Sequence, residues 1–173
     1  MIVFEGCDCA GKTYLAENIA LRFLTLGRLT RFEKYGLLPA WWDYKYHYIS
    51  SCKEYAVLDR FIVSEYVYGR LWRNGPNEKL TCTGLSAIIE HIRTLPSALT
   101  VYVRPSYQTV MKRMKQRGEK LLHPRDVRKV MSMFDEYLNH ELCRVTEMPM
   151  IQVSGENIEA DSDKILQAYF FKG

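Results

Sequence analysis

A chain that places Gly6-x-x-x-x-Gly11-Lys12-Thr13 directly after a short apolar run has little freedom in how its fold begins. Ile2 to Phe4 reads as a buried strand, Gly6 to Gly11 as a tight turn, and the apolar pattern from Thr13 onward as a helix; this is the context the P-loop pattern requires. Glycines let the backbone curl so that successive N–H groups point inward, and the helix start adds unpaired donors and a positive dipole end. Gly6, Cys7, Asp8, Cys9, Ala10 and Gly11 thus form a nest for phosphate oxygens. Lys12 supplies a point charge toward the β- and γ-phosphates, and the Thr13 hydroxyl is placed to ligate Mg²⁺. The expected ligand is a nucleoside triphosphate, ATP by default, with Mg²⁺.

Beyond the loop, strands and helices alternate. Leu15, Ala16, Ile19, Ala20 and Phe23 repeat at helical spacing up to Leu26, and Gly27 offers a C-terminal cap. Leu29 to Glu33 reads as a second strand. Trp41, Trp42, Tyr44, Tyr46 and Tyr48 follow without clean periodicity. They fit either a wall for stacking a nucleobase or a packed aromatic cluster. Tyr55 to Leu58 is a third strand that runs into Asp59 and Arg60. Ligands of doubly wound sheets sit beyond the carboxyl ends of the strands, so Asp59 is placed to hold Mg²⁺ and Arg60 to fork a second phosphate.

The remaining elements are a helix through Leu85 to Leu95, a strand at Leu99 to Val103, and a helix capped by Ser106 with Tyr107, Val110, Met111 and Met114 inward. Arg113 and Arg117 share another face of that helix, directed to solvent or ligand. After a break at Gly118 to Pro124, Val127 to Leu142 form a long amphipathic helix. Met150 to Val153 make a fifth strand, and Asp161 or Ser162 caps a last helix through Phe170. The pattern predicts one α/β domain over residues 1–173, with a five-stranded parallel sheet covered by helices on both faces.

Charge and cysteines narrow the classes. Arg104 to Lys129 holds nine basic residues against Glu119 and Asp126, a local charge of +7 in a chain of net +4, which leaves −3 elsewhere. Beside a phosphate nest, such a concentration is best read as a short lid over about 117–125. No apolar run is long enough to cross a bilayer, and the N-terminus enters a strand directly, so no membrane association is expected and the cytoplasm is the expected location. Five scattered cysteines, Cys7, Cys9, Cys52, Cys82 and Cys143, suit reduced thiols. Cys7 and Cys9 lack a second ligand pair for a metal, but the positive field of the loop is expected to lower a thiol pKa and sensitise it to oxidation.

Two segments carry a family resemblance. Phe4-Glu-Gly-Cys-Asp-Cys-Ala-Gly-Lys-Thr13 resembles the thymidylate kinase loop, and Asp59-Arg-Phe-Ile-Val-Ser-Glu-Tyr-Val-Tyr-Gly69 resembles that family's D-R-[YFH]-x-x-S segment, with Ser64 at its serine. The resemblance implies a P-loop kinase fold and transfer of the ATP γ-phosphoryl group to a deoxynucleoside monophosphate. It implies that Asp8 approaches the acceptor 3′-hydroxyl, Arg60 binds its phosphate, and Tyr68 crowds the 2′ position. Arg31 is expected at the acceptor phosphate, and Trp41 or Trp42 as the stacking ring. Some members carry an arginine inside the loop where this chain has Cys9, so charge neutralisation falls to the lid, first to Arg117, with Arg113, Lys120 and Arg125 behind it. The resemblance also implies a homodimer. Small nucleotides are the expected partners, with no stable nucleic-acid partner.

Two other readings stay open at this stage. A deoxynucleoside kinase would phosphorylate a 5′-hydroxyl and benefit from a carboxylate at the end of strand two, where Glu33 stands. A protein that binds ATP or nucleic acid without transfer is the other.

Overall fold

The computed structural model describes residues 1–36, 44–72, 82–118, 124–141 and 148–171. Five parallel strands, β1 (Ile2–Glu5), β2 (Arg31–Lys34), β3 (Ala56–Asp59), β4 (Leu99–Val103) and β5 (Met150–Val153), lie in the order β2-β3-β1-β4-β5. The order reverses direction around β1, and the P-loop leaves β1 at that switch point. Every residue of β1, β3 and β4 is buried, as strands covered on both faces must be, whereas edge strand β2 alternates half-buried and exposed.

Helix α1 (Lys12–Thr25) buries Leu15, Ala16, Ile19, Ala20 and Phe23, and packs on β3 and on the last helix, α7 (Ile158–Phe170). Each large side chain on that stripe contributes about 1.5–3 kcal/mol by leaving water. Between these elements run α2 (Tyr44–Ser51), α3 (Ile62–Trp72), α4 (Cys82–Arg93), α5 (Tyr107–Arg117) and α6 (Pro124–Glu136). Helix α3 packs on α6, and α2 on α4. Asp135 of α6 receives Arg104 through Nε and Nη2, both at 2.8 Å, and the Tyr102 hydroxyl at 2.5 Å, which ties α6 to the end of β4.

Most predicted elements recur, with instructive shifts. Ser106 caps α5, its hydroxyl accepting from Thr109 N at 3.1 Å. The last helix starts earlier than predicted because Asn157 caps it, accepting from Ala160 N at 3.1 Å. Asp161 instead turns back to accept from Gly155 N at 2.8 Å, and Ser162 is buried within the helix. The amphipathic pattern after the break does not continue as one α-helix, since α6 widens into a π-helical turn at Tyr137–Glu141. The second strand sits later than predicted and ends at Lys34. Among the described residues no helix is long and apolar enough to cross a membrane.

Candidate active site

The P-loop runs from buried β1 into α1 with its backbone in the conformations its glycines permit. Gly6 has φ +140°, and a Cβ there would meet Val103 O at 2.5 Å. Lys12 is buried, and its Nζ donates to Cys7 O at 2.7 Å across the loop. Burial, together with the nearby Arg60 charge, lowers its pKa from the ordinary lysine value. A carbonyl thus holds the ammonium where a phosphate oxygen would bind it more strongly.

Asp59 ends β3 and is 2% exposed. The Thr13 hydroxyl donates to its Oδ2 at 2.6 Å, while its Oδ1 is buried with no hydrogen-bond partner among the described residues. A buried carboxylate oxygen without a donor is costly unless a cation or water meets it. Thr13 and Asp59 therefore fit a hard divalent cation such as Mg²⁺, whose ligands are oxygens.

Arg60 follows with φ +75°, a left-handed conformation that an arginine adopts only under constraint. Its N–H donates to Phe4 O at 2.9 Å, and its guanidinium pairs with Asp8 and lies 5.1 Å from the Tyr68 ring centroid. The constraint comes from both sides. Upstream, Asp59 is held in the sheet beside Phe4. Downstream, Glu5, 1% exposed, caps α3: its Oε1 accepts from Phe61 N and Val63 N at 3.0 Å, and its carboxylate also takes Ser64 N and the Ser64 hydroxyl. Burial pushes the Glu5 pKa up to about 7, against the pull of those donors and of Lys12.

Two cavities flank the loop. The larger, about 540 Å³, is lined by Asp8, Lys12, Thr13, Asp59, Arg60 and Arg117, and also by Cys9, Gly11, Tyr14, Lys34, Tyr35, Gly36 and Trp72. The smaller, about 230 Å³, lies on the side of α5 and the β5–α7 loop and includes Arg113, Gln116, Gly155 and Glu156. Tyr14, Cys9, Gly11 and Arg117 border both, and the Arg117 guanidinium sits 5.7 Å from the Tyr14 ring centroid.

Several expected site residues have other surroundings. Arg113 is half-buried and lines the smaller cavity instead of the larger: its Nη1 donates to Ala10 O at 2.7 Å and its Nη2 to Gly155 O at 2.6 Å. That clamp closes a contact so tight that a Cβ on Gly155, at φ +67°, would lie 2.5 Å from Ala10 O. Arg31 pairs with Glu33 at 2.6 Å and reaches Ser50 O at 3.4 Å, away from the larger cavity. Ser64 serves Glu5 and borders a small recess shared with Tyr35, Tyr48, Arg60 and Tyr68. Tyr68 is 1% exposed and its hydroxyl accepts from Asp8 N at 2.9 Å. Gly6, Cys7 and Ala10 are buried. Cys7 is buried, and burial pushes its thiol up to about 11, so the expected sensitised thiol is not formed there. Tyr48 and Tyr35 pack edge to face, as do Tyr48 and Phe61, so this part of the aromatic segment is core. Trp41, Trp42 and Lys120 lie outside the described residues.

Sequence reasoning overlooked Glu5, Tyr14, Lys34, Tyr35 and Trp72. Lys34 was within reach of the rule that found Asp59, but ending strand two one residue early put Glu33 at its tip instead.

No family model matches the chain, and no curated protein matches it. Solved structures do. YorR from Bacillus subtilis, in complex with phosphorylated GDP, aligns with a TM-score of 0.77 at 18% identity over 95% of this chain and 92% of its own. Deoxyadenosine kinase from M. mycoides with bound dATP aligns with a TM-score of 0.57 at 16% identity, over 96% and 97% of the two chains. The same enzyme with the products dCMP and dCDP gives 0.56 at 17%, over 96% of each. At these identities the likeness establishes the fold: an α/β P-loop kinase fold with a five-stranded parallel sheet.

Proposed function

We propose that this chain is a deoxynucleoside monophosphate kinase of thymidylate-kinase-like type, moving the γ-phosphoryl group of ATP onto the acceptor 5′-phosphate. The observation that carries this reading is the end of β2. There Lys34 enters the larger cavity, while Glu33 is paired with Arg31. A hydroxyl acceptor needs a base at that end of the sheet; a phosphate acceptor is already anionic and needs cations. Lys12, Lys34, Arg60 and Arg117 line the cavity against Asp8 and Asp59.

In this reading the donor phosphates lie on the loop, where Lys12 exchanges Cys7 O for phosphate oxygens. The donor base lies in the smaller cavity. Mg²⁺ held by Thr13 and Asp59 would offset charge on the transferred group. Arg60 leaves Asp8 for the acceptor phosphate, and Asp8 becomes available to the sugar 3′-hydroxyl. Tyr68, fixed against Asp8 N, crowds the 2′ position. Arg117 leaves the Tyr14 ring for the developing charge, supplying what a loop arginine would have supplied. Catalysis here is positioning and charge neutralisation, with no general base.

The test is ADP release from ATP and Mg²⁺ with a panel of nucleosides, ribonucleotides and deoxynucleoside monophosphates. Turnover with deoxynucleoside monophosphates is expected. Turnover confined to nucleosides would replace this reading with a nucleoside kinase, and turnover with nothing in the panel would leave a binding protein.

A further inference from the structure

We propose that Trp72 is the stacking platform for the base of the acceptor, an assignment that rests on the acceptor reading above and names the residue that grips the nucleobase. Trp72 ends α3, lines the larger cavity with Lys12 and Arg60, and remains 42% exposed. A half-open indole in the wall of a cavity that four cations also line is unusual packing unless a flat group covers it, because burying a tryptophan is among the most favourable contributions an apolar side chain can make.

Its orientation is already set. The indole lies parallel to the Tyr68 ring, with centroids 4.9 Å apart and planes 14° from each other. Tyr68 in turn is pinned by the hydrogen bond from Asp8 N at 2.9 Å and by Phe134 of α6, 5.9 Å away edge to face. A platform held by its neighbours loses little freedom when a base settles on it. The donor base does not compete, since its cavity lies on the other side of the loop and Trp72 does not border it.

The test compares wild type with Trp72→Ala and Trp72→Phe, each checked by circular dichroism and melting temperature. Equilibrium binding is measured for three probes: a deoxynucleoside monophosphate accepted in the panel (dTMP if none is turned over), deoxyribose 5-phosphate, which has no base, and ATP. Stacking on an aromatic side chain implies that Trp72→Ala weakens the monophosphate by about 10- to 100-fold, and that Trp72→Phe restores most of the loss. Deoxyribose 5-phosphate and ATP are expected to bind all three proteins alike. Unchanged monophosphate binding in Trp72→Ala would overturn the assignment. So would an equal loss for monophosphate and deoxyribose 5-phosphate, which would make Trp72 a prop for Tyr68, or a loss confined to ATP, which would move the platform to the donor. A chain that binds the monophosphate through Trp72 but transfers no phosphoryl group upholds the platform and removes the kinase reading alone.

Discussion

The two cavities beside the P-loop each border an arginine, and the two arginines are held in opposite ways. On the β2–α3 side Arg60 is paired with a side chain, Asp8, and lies over Tyr68; on the α5 side Arg113 is bonded to the backbone carbonyls of Ala10 and Gly155. A side-chain partner can be exchanged for a ligand oxygen with a change of rotamer. Carbonyls of a loop packed to 2.5 Å against a missing Cβ cannot move without deforming the loop. The same guanidinium is therefore held by an exchangeable side chain on one side of the P-loop and by fixed backbone on the other.

The contrast can be broken experimentally, most severely at the loop and the acceptor side. Lys12→Ala and Arg60→Ala are each expected to reduce kcat by about 10³-fold with unchanged circular dichroism, because each removes a cation facing charge that develops in transfer. Full turnover in either variant would strike that residue from the mechanism.

Next in size is the pH dependence of stability set by Glu5, which holds the start of α3 beneath Arg60. Its folded pKa of about 7 lies above the ordinary carboxylate value of 4.5, so between those limits the folded chain binds more protons than the unfolded one. Stability contributed by this group is present below about pH 4.5 and is lost as pH rises through about 7, a swing of about 3 kcal/mol. Denaturant titrations from pH 4.5 to 8 are expected to show this slope in wild type and lack it in Glu5→Gln. Parallel slopes for the two proteins would show that the donors around Glu5 outweigh its burial.

A smaller effect separates the two arginines directly. Arg113→Ala is expected to destabilise the fold by about 2 kcal/mol, since two carbonyls lose charged donors, and to raise KM for ATP several-fold while KM for the acceptor stays constant. An Arg113→Ala protein of native melting temperature whose KM for the acceptor rises would reverse the assignment of sides. Smallest is Lys34→Ala, where loss of an exposed cation should raise acceptor KM about fivefold and leave ATP unaffected. This variant is measured by initial rates at saturating ATP, at two salt concentrations, because screening should shrink the difference.

Much of this organisation was legible in the residues. The loop, α1, the Leu99–Val103 and Met150–Val153 strands and the placement of Asp59 and Arg60 after a buried strand all follow from local pattern, because glycine spacing and apolar periodicity are properties of the chain itself. The roles of Glu5 and Arg113 were not. A glutamate next to a glycine loop looks like part of the motif until the start of α3, more than fifty residues later, is folded over it. An arginine on a helix face carries no mark of which carbonyls it will meet. The edge strand was misplaced for a related reason: Arg31-Phe-Glu-Lys34 is polar at three of its four positions and gains its boundary from pairing with β3, where Lys34 stands opposite Asp59.

By itself, the sequence determined that a glycine loop joins the first strand to the first helix and that strands and helices alternate after it, since local backbone conformation and burial periodicity are encoded residue by residue. Only the tertiary structure decided which charges face the cavity. Lys34 instead of Glu33 in the cavity beyond β2, Arg60 on Asp8, and Arg113 on the backbone of Ala10 and Gly155 depend on groups far apart in the chain, and their energies exist only once the sheet has brought them within a few ångströms.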